Sequence, residues 1–348
     1  MQAARWHDRS GESEVLSAPG GSGASTAQPV RSSLIDRLAD WQLFALCVGV
    51  WGTTWHVITW QVNGSAPEFG VALRFGLAGL LVLAWQAWQS RQSHPEGRRR
   101  FGLREHALCA LQGVFLYSLS YVCVYHAERD LPSGLVAVGY SASPLINGLA
   151  ARVIWGVAVT GRFLAGGVMG VAGVAMIFAP EFGRAGTGQA VMIGVGFTAA
   201  SVLLSSVGSL TASRNRSRGL PMWPALGWGM VYGGLSSLVV LAVVQGLGWG
   251  STTVPVLPPS PLQAPAWWAA LLYLAVAGSV LTFAAFLTLQ DRVGPGPSSA
   301  VGVAAPVLAI AVSIALEGYQ PGWETVLGVA LAVLGNVWML RPGGRSKR

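Results

Sequence analysis

Reading the chain for uninterrupted apolar runs gives ten blocks, near residues 41–61, 67–88, 104–126, 132–155, 162–180, 188–210, 224–247, 266–289, 295–317 and 323–340. Each holds at least 18 residues with few charges. About 20 residues of helix cross the ~30 Å hydrocarbon layer of a bilayer, so each block predicts one transmembrane helix. The predicted fold class is therefore an all-α integral membrane protein of ten transmembrane helices. The fourth and ninth blocks contain Pro144 and Pro306, each of which frees a backbone carbonyl and predicts a hinge or kink. Residues 1–40 are rich in Ser, Gly and Ala and lack an apolar stretch, which predicts a disordered cytoplasmic tail rather than a cleaved leader. Residues 341–348 form a short basic tail.

The blocks repeat. Sliding the chain by 162 residues lays Leu131–Phe178 over Val293–Leu340 without a gap. Pro144 then meets Pro306, Gly156 meets Gly318, Gly166 meets Gly328, and Gly173 meets Gly335. In the preceding helix, Tyr117 meets Ser279 and Tyr121 meets Phe283. The chain thus divides into one five-helix repeat at 41–180 and a second at 181–340. Five is odd, so the second copy enters the membrane from the opposite side, which predicts two inverted repeats with a substrate site between them near the midplane.

Composition agrees. The chain is 52% hydrophobic and 10% charged, where a soluble domain carries about 25% charged residues. The distribution of the 22 basic residues matters more than the net charge of +8. With the amino terminus inside, the inward loops and tails hold Arg91, Arg98, Arg99, Arg100, Arg104, Arg152, Arg162, Arg214, Arg216, Arg218, Arg292, Arg341, Arg345, Lys347 and Arg348. The outward loops hold Arg129 and Arg184. Such a bias sets orientation, so both termini are expected to be cytoplasmic, in a multi-pass protein of the cell membrane. Basic residues confined to short loops between apolar spans argue against a nucleic-acid partner; the partners expected are the bilayer and a small molecule, with homodimerisation left open. Cys47, Cys109 and Cys123 fall inside apolar blocks at no ligand spacing, so neither metal, cofactor nor disulfide is expected. Trp249, Trp267, Trp268 and Trp323 flank outward loops, as rings at the headgroup level would.

Several segments carry a family resemblance: WGTTW (Trp51–Trp55), ALRFGLAGLL (Ala72–Leu81), the passage Tyr125–Pro144, and in the second half Leu281–Ile310 and Leu316–Gly335. In order and duplication the chain resembles the EamA-type branch of the drug/metabolite transporter superfamily, over nearly everything after residue 40. The resemblance implies a transporter of small metabolites. The family commonly carries a Gly-Glu pair between the fourth and fifth helices of each half. Here Glu317–Gly318 approximates it in reverse order, and Trp155 stands at the equivalent position in the first half. If that acid caps a helix or gates one side, the two gates are not equivalent.

Polar side chains within a span are costly and face the bundle interior or a wet cavity. Arg74, in the second block, is either an anchor for a substrate carboxylate or phosphate, or a structural residue that snorkels outward. His56 in the first block is either a titrating group or a neutral interhelical hydrogen bonder. Tyr117, Ser118, Ser120 and Tyr121 join Tyr140, Ser141, Ser143 and Asn147 in a polar and aromatic band. Its repeat equivalents include Ser279, Thr282, Ser298 and Ser299. Singly these residues serve as interhelical glue; clustered around both prolines, they are the candidate cavity wall. The acids Glu68, Glu128, Asp130, Glu181 and Asp291 read as scattered at loop ends, with no intramembrane pair for proton transfer. No Walker-type loop is present, and no nucleophile–base constellation points to an enzyme. The expected function is a secondary transporter, exporting amino acids or related amphipathic compounds by alternating access. The alternative is a lipid or lipid-linked-sugar translocator of the same fold.

Overall fold

A computed structural model describes residues 35–92, 101–156, 158–182, 188–248, 255–293, 298 and 300–340. Among these residues there is no strand. The chain forms α1 (Asp40–Val62), α2 (Pro67–Gln92), α3 (Leu103–Asp130), α4 (Ser133–Gly139, Tyr140–Ala142 and Ser143–Trp155 end to end) and α5 (Gly161–Phe182). It continues with α6 (Gly188–Ser217), α7 (Met222–Gly246), α8 (Pro265–Leu272, Tyr273–Leu281 and Thr282–Val293), α9 (Val301–Leu316) and α10 (Trp323–Leu340). Eight of these are long and apolar enough to cross a membrane, and α9 and α10 are shorter apolar helices. Residues 1–34, the tail 341–348 and Ser299 lie outside the described residues; of the tail expected at 1–40, Ile35–Arg37 forms a short 3-10 helix ahead of α1.

The bundle keeps a largely apolar core, but it also buries polar side chains and turns large apolar ones outward. Leu80, Val168, Val239, Val326 and Leu334 project outward, while Gln61, Arg74, Ser118, Ser237 and Asn336 are buried among the helices. That is the expected partition when lipid, not water, surrounds the molecule.

Glycine decides the closest helix approaches. A Cβ on Gly166 would lie 2.6 Å from the Gly335 carbonyl oxygen, and one on Gly173 would lie 2.5 Å from that of Gly328. The α5–α10 seam is therefore backbone against backbone, and the helices run antiparallel. α2 meets α7 in the same way: Gly234 lies against Ala72 and Gly76, and Gly227 against Val82 and Leu83. Gly229 and Gly233 receive the ring and Cβ of Tyr117 from α3. Without a hydrophobic drive between helices in lipid, this close packing supplies much of the cohesion.

Other contacts follow the same numbering. α4 packs on α9, and the pairing of α3 with α6 is answered by that of α1 with α8. Exchanging the first five helices for the last five maps α3–α6 onto α8–α1 and carries α4–α9 onto itself. Local features repeat as well. α3 and α8 each widen into a π-helical turn, at Val114–Leu119 and Tyr273–Leu281, and the 162-residue shift carries the first into the second. Gly156 and Gly318, which end the paired helices α4 and α9, share a left-handed φ of 68° and 70°, a conformation that side chains resist.

The prolines do not repeat in effect. α4 tightens at Tyr140–Ala142 directly before Pro144, whereas Pro306 sits inside the continuous α9. The break in α4 has its own support. Asn336 of α10, 2% exposed, donates from Nδ2 to the Ser141 carbonyl at 3.1 Å and to the Ala332 carbonyl at 2.9 Å. Its repeat equivalent is Val174, so only one half has this support. Asn336→Val should lower stability by about 1–3 kcal/mol, the cost of an orphaned buried carbonyl, measured as denaturant-induced unfolding in detergent.

One tryptophan corrects the expected headgroup belt. Trp267 is 2% exposed; its indole N–H donates to the Gln61 carbonyl at 3.3 Å, and its ring packs on Gly64. The loop between α1 and α2 covers it, so it belongs to the core. Trp323 is exposed, and Trp249 lies outside the described residues.

Candidate functional site

The site is assembled around Arg74. Its side chain does not snorkel: at 1% exposure it is enclosed by the bundle. The guanidinium carbon stands 4.7 Å from the Tyr121 ring centroid and 5.0 Å from that of Phe75, positions that favour a cation over an aromatic face. Nε donates to Ser279 Oγ at 3.4 Å, and Nη1 is buried with no hydrogen-bond partner.

The wide turn of α8 makes this approach possible. Its spare carbonyls are taken by hydroxyls five residues ahead, Ser279 to Leu274 at 2.9 Å and Thr282 to Ala277 at 2.6 Å. Gly278 leaves room for Thr54 of α1, which would stand 2.8 Å from any Cβ there, and its carbonyl accepts from Trp51 Nε1 at 3.2 Å. Ser279 is thereby held opposite Arg74.

Aromatic rings extend the site through five helices. Phe75 packs on Tyr117 and Tyr121 with centroids 5.2 and 4.6 Å apart, Phe283 meets Tyr117 at 6.0 Å and Trp51 at 5.4 Å, and Trp55 meets Tyr140 at 5.2 Å. Of the sequence-derived candidates, Arg74, Tyr117, Tyr121 and Ser279 share one cluster. Tyr140 is reached through Trp55. Thr282 is fully buried against its own helix. Ser143 and Asn147 lie one turn apart on α4, where Ser143 Oγ and Asn147 Oδ1 are buried without partners. Ser299 lies outside the described residues.

His56 belongs elsewhere. Its Nδ1 is 2.9 Å from Glu317 Oε1. Glu317 also accepts from the Ser133 amide at 3.0 Å, from Ser313 Oγ at 2.7 Å, and from the Ser133 hydroxyl. One carboxylate thus ties α1, the start of α4 and the end of α9. By the 162-residue shift, Glu317 corresponds to Trp155 and Ser313 to Ala151, so the repeat does not carry this acid and hydroxyl into the first half.

α4 and α9 also diverge beyond this knot. Ser133–Gly139 packs along α9, with Gly134 against Ala309, Ile310 and Ser313. Past the break, Ser143–Trp155 packs on α5 and α6 instead and makes no comparable contact with Val301–Leu316 among the described residues.

One acid corrects the expectation that carboxylates stand at loop ends. Glu68 does stand there, in the first turn of α2, where it is buried and pairs with His126 Nε2 at 2.9 Å. Glu128 is 6% exposed, and neither carboxylate oxygen has a hydrogen-bond partner. It shares one stripe of α3 with Tyr121 and Tyr125, at i−7 and i−3. The helix continues to Asp130, about one turn beyond its expected end, and this carries Glu128 into the bundle.

A bundle of membrane-spanning helices that buries a guanidinium with Nη1 unpartnered suits a membrane transporter. The family comparison agrees: the model of the EamA-like transporter family matches twice, over residues 40–179 and 192–341. This chain belongs to the EamA-like transporter family. It is 27% identical to the protein named "Uncharacterized inner membrane transporter YedA" of Escherichia coli K12 over 299 residues, covering 85% of this chain and 86% of that one. It is 26% identical to "Protein PecM" of Dickeya dadantii over 278 residues, covering 79% and 82%. A solved crystal structure superposes with a TM-score of 0.57 at 18% identity, covering 86% of this chain and 95% of that one, a likeness of fold. The protein is accordingly a multi-pass membrane transporter, a class distinct from enzymes.

Proposed function

We propose that this transporter exports small amphipathic metabolites, amino acids or related compounds, by alternating access between two inverted halves. The observation that carries the reading is the buried guanidinium of Arg74, held between aromatic faces with Nη1 unsatisfied. A carboxylate or phosphate oxygen is its natural partner, and the surrounding rings suit an apolar side chain. Inversion is supported by the antiparallel contact of the repeat-equivalent helices α5 and α10. Alternating access is supported by α4, whose packing on α9 among the described residues lies mainly on the Glu317 side of its break.

The loop arginines favour cytoplasmic termini. In that orientation the Glu317 knot closes the outer face, and the diverging ends of α4 and α9 form the inward opening. No nucleotide-binding loop is present in the sequence, so the cycle runs on an ion gradient or on exchange.

Counterflow in proteoliposomes, screening labelled amino acids, amines and nucleosides, tests the reading. A saturable signal is expected from a compound that carries an anionic group. Arg74→Ala should cut its rate about 10- to 100-fold, the value of a charge-assisted hydrogen bond; Arg74→Lys should retain part, because it keeps charge but loses the planar fork. Wild-type rates in both variants would remove Arg74 from the site. Scrambling of labelled lipid with no saturable uptake would replace the reading with lipid translocation.

A further inference from the structure

We propose that the loop ahead of α8, residues 255–264, is a lipid-binding anchor that seats Leu257 and Leu262 in the boundary between headgroups and hydrocarbon. Its occupant is the bilayer, whatever the cargo of the transporter.

From Gly219 to Gln290 the chain contains no Asp, Glu, Lys, Arg or His, so α7, α8 and the loop that joins them carry no ionisable acid or base of these kinds. The 162-residue shift lays this loop over residues 93–102, and the start of α8 at Pro265 over the start of α3 at Leu103. The sequence there contains Glu96, Arg98, Arg99 and Arg100, side chains too costly to place in hydrocarbon. One copy of the loop is thus bound to water by its charges, and the other carries none.

The structure offers that charge-free loop to lipid. The apolar span of α8, Pro265–Gln290, is 26 residues long, about 39 Å at 1.5 Å per residue. Hydrocarbon accounts for ~30 Å and the headgroups bring the bilayer to ~40–45 Å, so a span of this length reaches the headgroup layer. Outward-facing apolar side chains lead to the loop from both helices, Val243 and Leu247 on α7 and Leu272 and Val276 on α8. Leu257, 61% exposed, and Leu262, 97% exposed, continue this surface where the helices end. Exposed apolar side chains continuous with a lipid-facing surface mark a membrane contact, and the bilayer already touches both flanking helices.

The loop is also stiff. Pro258, Pro259 and Pro261 restrict its backbone. Gln263 Oε1 accepts from the Ser260 amide at 3.3 Å and from the Ser260 hydroxyl at 3.1 Å, while the Ser260 carbonyl accepts from the amides of Gln263 and Ala264 at 2.9 Å each. The Trp268 indole N–H donates to the Pro259 carbonyl at 2.9 Å. A turn preset in this way has little freedom to lose when it meets lipid. The Ala66 amide, just ahead of α2, donates to the Val256 carbonyl at 3.4 Å. The anchor therefore bridges the first turns of α2 and α8, the helices that bring Arg74 to Ser279, and fixes the depth of their shared end.

The test uses the full chain in lipid nanodiscs that hold one copy and no other protein. Cys47, Cys109 and Cys123 are replaced, and an NBD fluorophore is attached in Leu262→Cys or, as the aqueous reference, in Asn63→Cys, an exposed position of the α1–α2 loop. Iodide should quench the fluorophore at 262 about tenfold less than the one at 63, the partition of one leucine-sized side chain. Lipid with a nitroxide on its headgroup should quench them in the opposite order. Leu257→Asp changes an exposed side chain and leaves the fluorophore in place. The added charge should draw the loop into water and raise iodide quenching at 262 to the level at 63. Equal iodide quenching at the two sites of the parent overturns the anchor. Protection that survives Leu257→Asp overturns it as well, since the contact would then belong to the fluorophore and not to the loop. Protection seen only when two copies share a disc replaces the bilayer with a second copy of the chain as occupant.

Discussion

Glu317→Ala is expected to unlock the closed end of the bundle. The substitution strips partners from His56, the Ser133 amide, and the hydroxyls of Ser133 and Ser313. Leaving buried donors unsatisfied costs about 1–3 kcal/mol; about 3 kcal/mol is a ~100-fold change in the ratio of closed to open forms. A reporter cysteine at Leu135, fully buried on the α9-facing segment of α4, would read it. With Cys47, Cys109 and Cys123 replaced, a membrane-impermeant maleimide added outside should label the reporter about 100-fold faster in Glu317→Ala. Glu317→Gln keeps acceptor oxygen but loses charge, and should fall between. Equal rates in all three proteins would mean that the knot does not hold the outer face shut.

The second large effect is on assembly. Gly166→Leu and Gly173→Val each place a side chain where another helix backbone already stands, 2.6 and 2.5 Å from the carbonyl oxygens of Gly335 and Gly328. Neither backbone can yield by a simple rotamer change, so α5 and α10 must separate. The expected loss is about 3 kcal/mol or more, the upper range for overpacking, read as unfolding at lower denaturant concentration and loss of a monodisperse species on size exclusion. Gly196→Ala and Gly302→Ala are the controls. A Cβ there meets nothing within 4 Å, and alanine favours helix by up to about 1 kcal/mol. Equal stability of both pairs would show that the α5–α10 seam contributes little to assembly.

The helices were legible in the sequence because hydrocarbon imposes one rule on every residue that crosses it. The repeat was legible because its glycines and prolines have backbone consequences that survive divergence. Arg74 stood out as a charge in an apolar run. The identity of its neighbours was less accessible: Ser279 reaches it only because α8 widens by one residue per turn, a change invisible in hydropathy. The tie between His56 and Glu317 spans 261 residues, and no local pattern encodes it. Glu128 was misread because its placement depends on where α3 ends. One extra turn converts an acid at a loop into an acid inside the bundle. Trp267 was misread for a related reason, since a residue at the end of a span faces headgroups only if no loop covers it.

The glycine seam has a consequence for the history of the molecule. Gly166 touches Gly335, which is the equivalent of Gly173, and Gly173 touches Gly328, which is the equivalent of Gly166. This reciprocity is the signature of an isologous contact, the kind that a two-fold axis imposes on identical subunits. In a homodimer every substitution is made twice, so both ends of the bundle must be held with the same strength. Joining the copies in one polypeptide lifts that rule. It lets Glu317 and Asn336 occupy one copy while Trp155 and Val174 hold the equivalent positions of the other, and in the proposed cycle that asymmetry would let one end shut harder than the other.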